Sequence, residues 1–351
     1  MTLPKVDMTA VQRVLIIKMS ALGDILHALP VSAALGDAYP HLEISWAVEE
    51  PFAPLVVGNP YLKETILLPK LRGSKLKEQA FRQDYFQRLR GIRERHFDMV
   101  LDLQGLSKSA ILAMASGAKI RLGYHWLREV ARLCEKPIPR RPESIHIVDQ
   151  YLDVARFLGA EPNPVRFPIA IPEADSAAVQ AMLCESGVET GTPFVSVNPA
   201  SALAIKQWGA ERYAALMDAV QTELGLHAVL VTADKVVAAQ VEAAAKRPFV
   251  NLVGRTSLKQ LAAVLQQSAV HVCGDTGSAH LAAAMERPVV ALIGPTDPDR
   301  ACPYHQRANT LSHREVCGPH CDWHHCEYAS PRCMEAIPVA EVVAQIRKNL
   351  G

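Results

Sequence analysis

Asp24 stands in "MSALGDILHALP" (19–30), after the apolar run "VLIIK" and beside Gly23, where a buried strand should give way to a helix. Two chemistries suit a carboxylate there. Helix N-termini favour negative charge, so Asp24 can be a cap. A carboxylate at the mouth of a cleft can instead take a proton from a substrate hydroxyl as a general base. A second acid, Asp275, lies in "VCGDTGSAHLAAAM" (272–285), where Asp275, Thr276 and Gly277 follow a strand and open a helix. The free N–H groups of such a helix start, with glycine allowing close approach, would cradle a phosphate. The same residues would also serve as an ordinary cap. "VNPASALAIKQWGAERY" (197–213) is another strand-end loop, and its Lys206 can neutralise a diphosphate as a point charge. Finally, "CGPHCDWHHCEYASPRC" crowds Cys317, Cys321, Cys326 and Cys333 together, with His313, His320, His324 and His325 nearby. Four such thiols suggest a structural Zn²⁺ or iron site, although their spacing is not that of a standard finger.

The elements that must position these residues follow from the apolar pattern. Strands are predicted at 13–18, 43–48, 64–68 and 98–103, and again at 194–198, 227–233, 249–254, 269–274 and 288–294, with helical stretches between them. Near-continuous apolar strands alternating with amphipathic helices imply parallel sheets covered on both faces. Pro30 should kink the first helix. The proline-rich stretch 159–175 reads as a linker. The expectation is an α/β protein of two doubly wound domains facing across a cleft, with ligands at the carboxyl ends of the strands.

Composition narrows the class. A chain of 351 residues, 49% hydrophobic and 21% charged, is a globular protein too long for one ordinary core. Its net charge of +1 argues against a nucleic-acid partner. No apolar run reaches bilayer length and the start lacks a signal-peptide pattern, so a cytoplasmic location is expected. The stretch 70–97 carries a local excess of Lys and Arg, which suits either a solvated helix face or contact with an anionic substrate or membrane surface. A dinucleotide GxGxxG and a Walker A loop are both missing after the first strand, which weighs against dehydrogenase and NTPase readings.

"RVLIIKMSALGDILHALP", "DLQGLSKSA", "NPAS…KQW…RY", "GDTGSAHLAAA" and "GPTDP", in this order, resemble the motif series of glycosyltransferase family 9, the bacterial heptosyltransferases of lipopolysaccharide assembly. "WAVEEPFAPL" and "GLSKSA" lean towards the heptosyltransferase I branch. The resemblance implies a GT-B fold of two Rossmann-like domains: residues 1–170 for the acceptor, 171–335 for the nucleotide sugar, and a last helix, 336–351, packing back on the first domain. It implies inverting transfer from ADP-L-glycero-D-manno-heptose to an anionic Kdo–lipid A acceptor at the inner-membrane surface, with no catalytic cofactor. A different acceptor, such as another core sugar or a protein serine, and a non-catalytic sugar-nucleotide binder are the rival readings. By this likeness Asp24 is the base, and Lys206, Asp275, Thr276, Gly277, His280, Ser201 and Thr256 hold the donor. Gly23, Lys108, Arg72 and Lys75 would meet the acceptor. The family's ribose-binding glutamate has no counterpart in "TADKVVAAQ", where Asp234 is the nearest acid.

Overall fold

The computed structural model describes residues 6–70, 78–318, 321 and 325–351. Arg72 and Lys75 lie outside the described residues, as do His320 and His324. The chain divides into two compact units, Met1–Ala170 and Ile171–Gly351.

The first unit runs β1 (Arg13–Ile17), α1 (Leu22–Ala38), β2 (Glu43–Glu49), β3 (Glu64–Leu68), α2 (Gln79–Glu94), β4 (Met99–Asp102), α3 (Ser107–Ser116), β5 (Ile120–Gly123), α4 (Ala131–Cys134), β6 (Lys136–Pro137) and α5 (Ile147–Phe157). Its six strands are all parallel, in the order β3-β2-β1-β4-β5-β6. The second unit runs α6 (Glu173–Glu185), β7 (Phe194–Asn198), α7 (Ala210–Glu223), β8 (His227–Leu230), α8 (Lys235–Ala244), β9 (Val250–Asn251), α9 (Leu258–Gln267), β10 (Val270–Gly274), α10 (Gly277–Ala284), β11 (Val289–Leu292), α11 (Pro298–Ala301), β12 (Thr310–Leu311), α12 (Arg332–Glu335) and α13 (Val339–Leu350). Its sheet, β12-β11-β10-β7-β8-β9, repeats the same winding. Each sheet therefore has one switch point, between β1 and β4 in the first and between β7 and β10 in the second. Loops leave adjacent strands in opposite directions there and open a crevice.

Apolar side chains fill both faces of each sheet. Val14, Leu15, Ile16 and Ile17 of β1 are fully buried, which is why the run reads without alternation. The first helix continues through Pro30, from Leu22 to Ala38. A proline inside a helix costs about 3 kcal/mol. Against this, α1 buries Ile25, Leu26, Leu29, Val31 and Leu35 completely, each burial contributing about 1.5–3 kcal/mol, so packing holds the helix together.

Val342, Val343 and Ile346 of α13 join the core of the second unit with Trp208, Tyr213, Val272 and Leu292, and α13 packs on α7, β10 and β11. Its apolar stripe is buried in the core of the second unit. Within the described part of the basic stretch, much of the charge is paired: Arg88 with Glu50 and Asp84, Arg90 with Glu94, Arg95 with Glu64. That part is a solvated, self-neutralised helix face. No described helix is long and apolar enough to cross a membrane.

Candidate active site

Both candidate centres sit at the switch points. In the first unit, Asp24 occupies the first turn of α1, where Oδ2 accepts a long hydrogen bond from the Ala21 N–H at 3.4 Å. The carboxylate is nevertheless 49% exposed. It is thus a loose cap with a face open to solvent, and both readings of Asp24 have a physical basis. Lys18, at the end of β1, is the partner the sequence did not announce. Its side chain is only 2% exposed, and Nζ lies 3.9 Å from Asp24 Oδ2. The ammonium donates to the Tyr151 hydroxyl at 2.7 Å and lies 4.9 Å from that ring's centre. A buried cation demands such partners, because desolvation disfavours its charge.

The loop carrying Asp24 is held from the neighbouring strand end. Gln104 Oε1 accepts from the Met19 and Ser20 N–H groups. Gln104 is set in turn by Asp102, whose Oδ1 accepts from the Gln104 and Gly105 N–H groups. Gly105 adopts φ +69°, and a Cβ there would fall 2.5 Å from the Trp126 carbonyl oxygen, so only glycine fits this turn. Behind Asp102 lies Glu135. Burial first, and then the adjacent Asp102 carboxylate, push Glu135 up to about 10, so it stays protonated and donates to Asp102. Lys108 completes the frame, donating to the buried Glu49 at 2.7 Å and to the Ser20 hydroxyl at 3.1 Å. Expected to meet the acceptor, it is engaged in bracing the 19–21 loop. Gly23 lies within the first turn of α1, beside Asp24.

In the second unit, Lys206 and Asp275, 69 residues apart in sequence, meet at 2.6 Å. Thr296 donates to the same Asp275 oxygen at 2.7 Å. Burial alone would raise the Asp275 carboxyl. The Lys206 ammonium, its hydrogen bond, that of Thr296 and the nearby His280 outweigh it, and the carboxyl lies below its ordinary value. Lys206 carries three N–H donors, of which this contact uses one. Thr276 caps α10, its hydroxyl accepting from Ser278 N–H at 3.1 Å, and Gly277 is the first helical residue. A buried polar chain fixes this turn from beneath. Ser278 Oγ contacts Thr276 Oγ1, His271 Nε2 and Asn198 Nδ2, and His271 Nδ1 contacts Ser196 Oγ. Burial takes His271 down to about 3, so the imidazole is neutral and can accept on one nitrogen and donate on the other. His271, Ser196 and Asn198 were not foreseen. His271 inside the apolar run "VHVCG", and Ser196 and Asn198 two residues apart in "FVSVN", were the available signal.

The remaining expected residues are more dispersed. Ser201 follows β7, and its buried hydroxyl makes no hydrogen bond with a described residue. His280 is buried on α10. Thr256 lies after β9, at the far edge of the sheet, just before the Ser257 cap of α9. Asp234 caps α8, accepting from the Val236 and Val237 N–H groups, so its carboxylate serves the helix.

The cysteine cluster does not form the expected metal centre among the described residues, where no three His, Cys, Asp or Glu side chains are grouped to hold an ion. Cys333 is 2% exposed and packs in the second core with Cys317 against it. Burial, and then the Cys317 and Cys326 thiols, push Cys333 up to about 12. Cys321 turns instead to the Glu327 N–H, which donates to its sulfur at 3.4 Å. Cys317 and Cys333 thus behave as small apolar side chains.

The family model of glycosyltransferase family 9 (heptosyltransferase) matches residues 86–327. The chain is 30% identical to lipopolysaccharide heptosyltransferase 1 of Salmonella typhimurium over 82% of its own length and 89% of the relative's. Among solved structures it is similar to a family 9 glycosyl transferase from Veillonella parvula, with TM-score 0.81, 22% identity and 97% of each chain covered. It is also similar to E. coli heptosyltransferase WaaC with ADP, with TM-score 0.75, 24% identity, and 96% and 100% coverage.

Proposed function

Since the chain belongs to glycosyltransferase family 9, the heptosyltransferases, we propose that it moves heptose from ADP-L-glycero-D-manno-heptose to a Kdo–lipid A acceptor of the lipopolysaccharide inner core, inverting the anomeric centre. The first unit takes the acceptor and the second the nucleotide sugar. The protein works in the cytoplasm, in peripheral contact with the inner membrane.

The observation that carries this reading is the state of Asp24: half exposed, tethered at one oxygen by the Ala21 N–H, and accompanied by the buried Lys18 cation. An acceptor hydroxyl attacks the anomeric carbon, its proton passes to Asp24, and the bond to the diphosphate breaks. A positioned base of this kind contributes typically about 10²–10⁴-fold. The leaving diphosphate gains negative charge, which Lys206 and the Thr276–Gly277 N–H groups at the start of α10 meet. Asp275 holds Lys206 in place. The step balances in charge and protons with these groups alone.

Asp24→Asn tests it. The amide keeps the shape and can still accept from Ala21, but it cannot take the proton. Turnover with ADP-heptose and a Kdo–lipid A acceptor should fall by about 10²-fold or more, while ADP affinity and melting temperature stay near wild type. Wild-type turnover in this variant would leave Asp24 as a cap and end the mechanism. Mass spectrometry of the product from a panel of acceptors tests the acceptor.

A further inference from the structure

Several large apolar side chains stand exposed in one short stretch of the first unit: Ile111, Met114, Trp126, Val130, Leu133 and Ile145. Leu133 is 87% exposed and Trp126 42%. Their backbone is fixed all the same. Ile111 and Met114 belong to α3, Leu133 belongs to the short α4 that packs on it, and Val130 and Trp126 lie in the turn leading into α4. Ala110, Leu127 and Ala131 form a small buried cluster that fastens these elements together. Cys134 Sγ touches Met114 Sδ at 3.4 Å. Apolar ends displayed on a pinned scaffold mark an interaction surface.

Charge identifies the partner. Residues 107–141 hold eight Lys and Arg against two Glu, in a chain of net charge +1. Cations therefore outnumber acids in this stretch, Glu129 being the exposed acid among them. Glu135 is buried and protonated, and Glu129 accepts from the Ser107 hydroxyl. Lys108 is paired with Glu49 and Arg141 with Glu161. Lys119, Arg128, Arg132, Lys136 and Arg140 are exposed. Arg128 lies over the Trp126 ring, 5.1 Å from its centre. Together with His125, Leu127, Glu129 and Arg132 they line a cavity of about 500 Å³. Stable protein interfaces deplete Lys and Glu from their apolar centre. Here the apolar tips and the cations are interleaved in sequence. An anionic bilayer rewards that mixture, since Trp and aliphatic tips enter the headgroup–acyl boundary while Arg and Lys reach the phosphates. The basic helix α2, by contrast, has two of its arginines paired with acids of its own unit, Arg88 with Glu50 and Asp84 and Arg90 with Glu94.

The geometry points to the face formed by α3, the 124–130 turn and α4 as a docking surface for an anionic phospholipid bilayer, with a headgroup phosphate in the cavity beside Arg128 and Arg132. This deepens the proposed membrane contact and moves it away from the 70–97 stretch. It does not depend on the identity of the acceptor.

Co-sedimentation of the full chain with phosphatidylcholine vesicles, with and without phosphatidylglycerol, tests it. These vesicles contain no acceptor, so a failure to bind speaks against the surface and leaves the transferase reading untouched. Binding should require phosphatidylglycerol, fall with added salt, and shift Trp126 fluorescence to the blue. Leu133→Asp and Arg128→Glu should each weaken binding by roughly tenfold with unchanged melting temperature. Leu133→Asp should keep wild-type turnover on a detergent-dispersed acceptor. Equal binding to phosphatidylcholine alone, or undiminished binding of both variants, would overturn the proposal. So would a concentration-dependent dimer that Leu133→Asp abolishes in a chain that does not bind vesicles.

Discussion

Lys18 is the residue on which the first site turns. A lysine this buried is retained against a desolvation cost that an apolar side chain of similar length would avoid. Its ammonium touches Tyr151 and faces Asp24, so its removal should be felt at the carboxylate more than in the core. Lys18→Met should therefore leave the melting temperature unchanged or raised, while kcat falls by roughly tenfold and KM moves little. Lys18 acts through Asp24, as a positioning residue. In an Asp24→Asn background the same substitution should then cost almost nothing further, because neighbours that act as one unit are not additive. Full additivity in that double-mutant cycle would make Lys18 a purely structural cation.

At the scale of elements, the loops do the positioning and the strands set the loops. The Asp102–Gln104 turn after β4 holds the 19–21 loop after β1, and the Ser196–His271–Ser278 chain joins β7 and β10 to the start of α10. Such pairings were unreadable in the sequence. Met19 and Gln104, or Ser196 and His271, become neighbours only through the strand order. What could be read was the placement of Asp24, Thr276 and Gly277 at strand ends, because the apolar runs before them are long and continuous. Strands β5, β6 and β12 escaped notice because they are short, and β6 ends in a proline that suits only an edge. Among the described residues the cysteines do not group as their spacing suggests, for a related reason: spacing reveals proximity in sequence but not which thiol is swallowed by a core. That difference is testable. Cys333→Ser buries a hydroxyl in the second core and should cost about 1–3 kcal/mol. Cys321→Ser, outside that core, should stay within about 0.5 kcal/mol. Equal losses in both variants, with metal released from the wild type by chelator, would restore the metal centre.

At the scale of the whole molecule, each unit has its own core and buried titratable groups, and one from each, His271 and Glu135, respond to pH in opposite senses. His271 in the second unit is held at about 3, below its ordinary 6.5. The unfolded chain binds the proton first, so the stability from the neutral imidazole is complete above pH 6.5 and is lost as pH falls towards 3. Glu135 in the first unit is raised from its ordinary 4.5 to about 10. Its protonated form supports Asp102, so that stability is complete below pH 4.5 and is lost as pH rises towards 10. Each group sets a slope of up to about 1.4 kcal/mol per pH unit within its window. Acid should therefore weaken the second unit first and alkali the first unit. In thermal melts, His271→Gln should flatten the acid side of the stability profile alone. Glu135→Gln, whose amide can still donate to Asp102, should flatten the alkaline side alone. Because the Asp102 turn braces the 19–21 loop, the alkaline loss should reach Asp24 as well, and Glu135→Gln should hold its turnover to higher pH than the wild type. An unchanged alkaline profile in that variant would mean that Glu135 is ionised in the fold and that Asp102 is braced by its backbone donors alone.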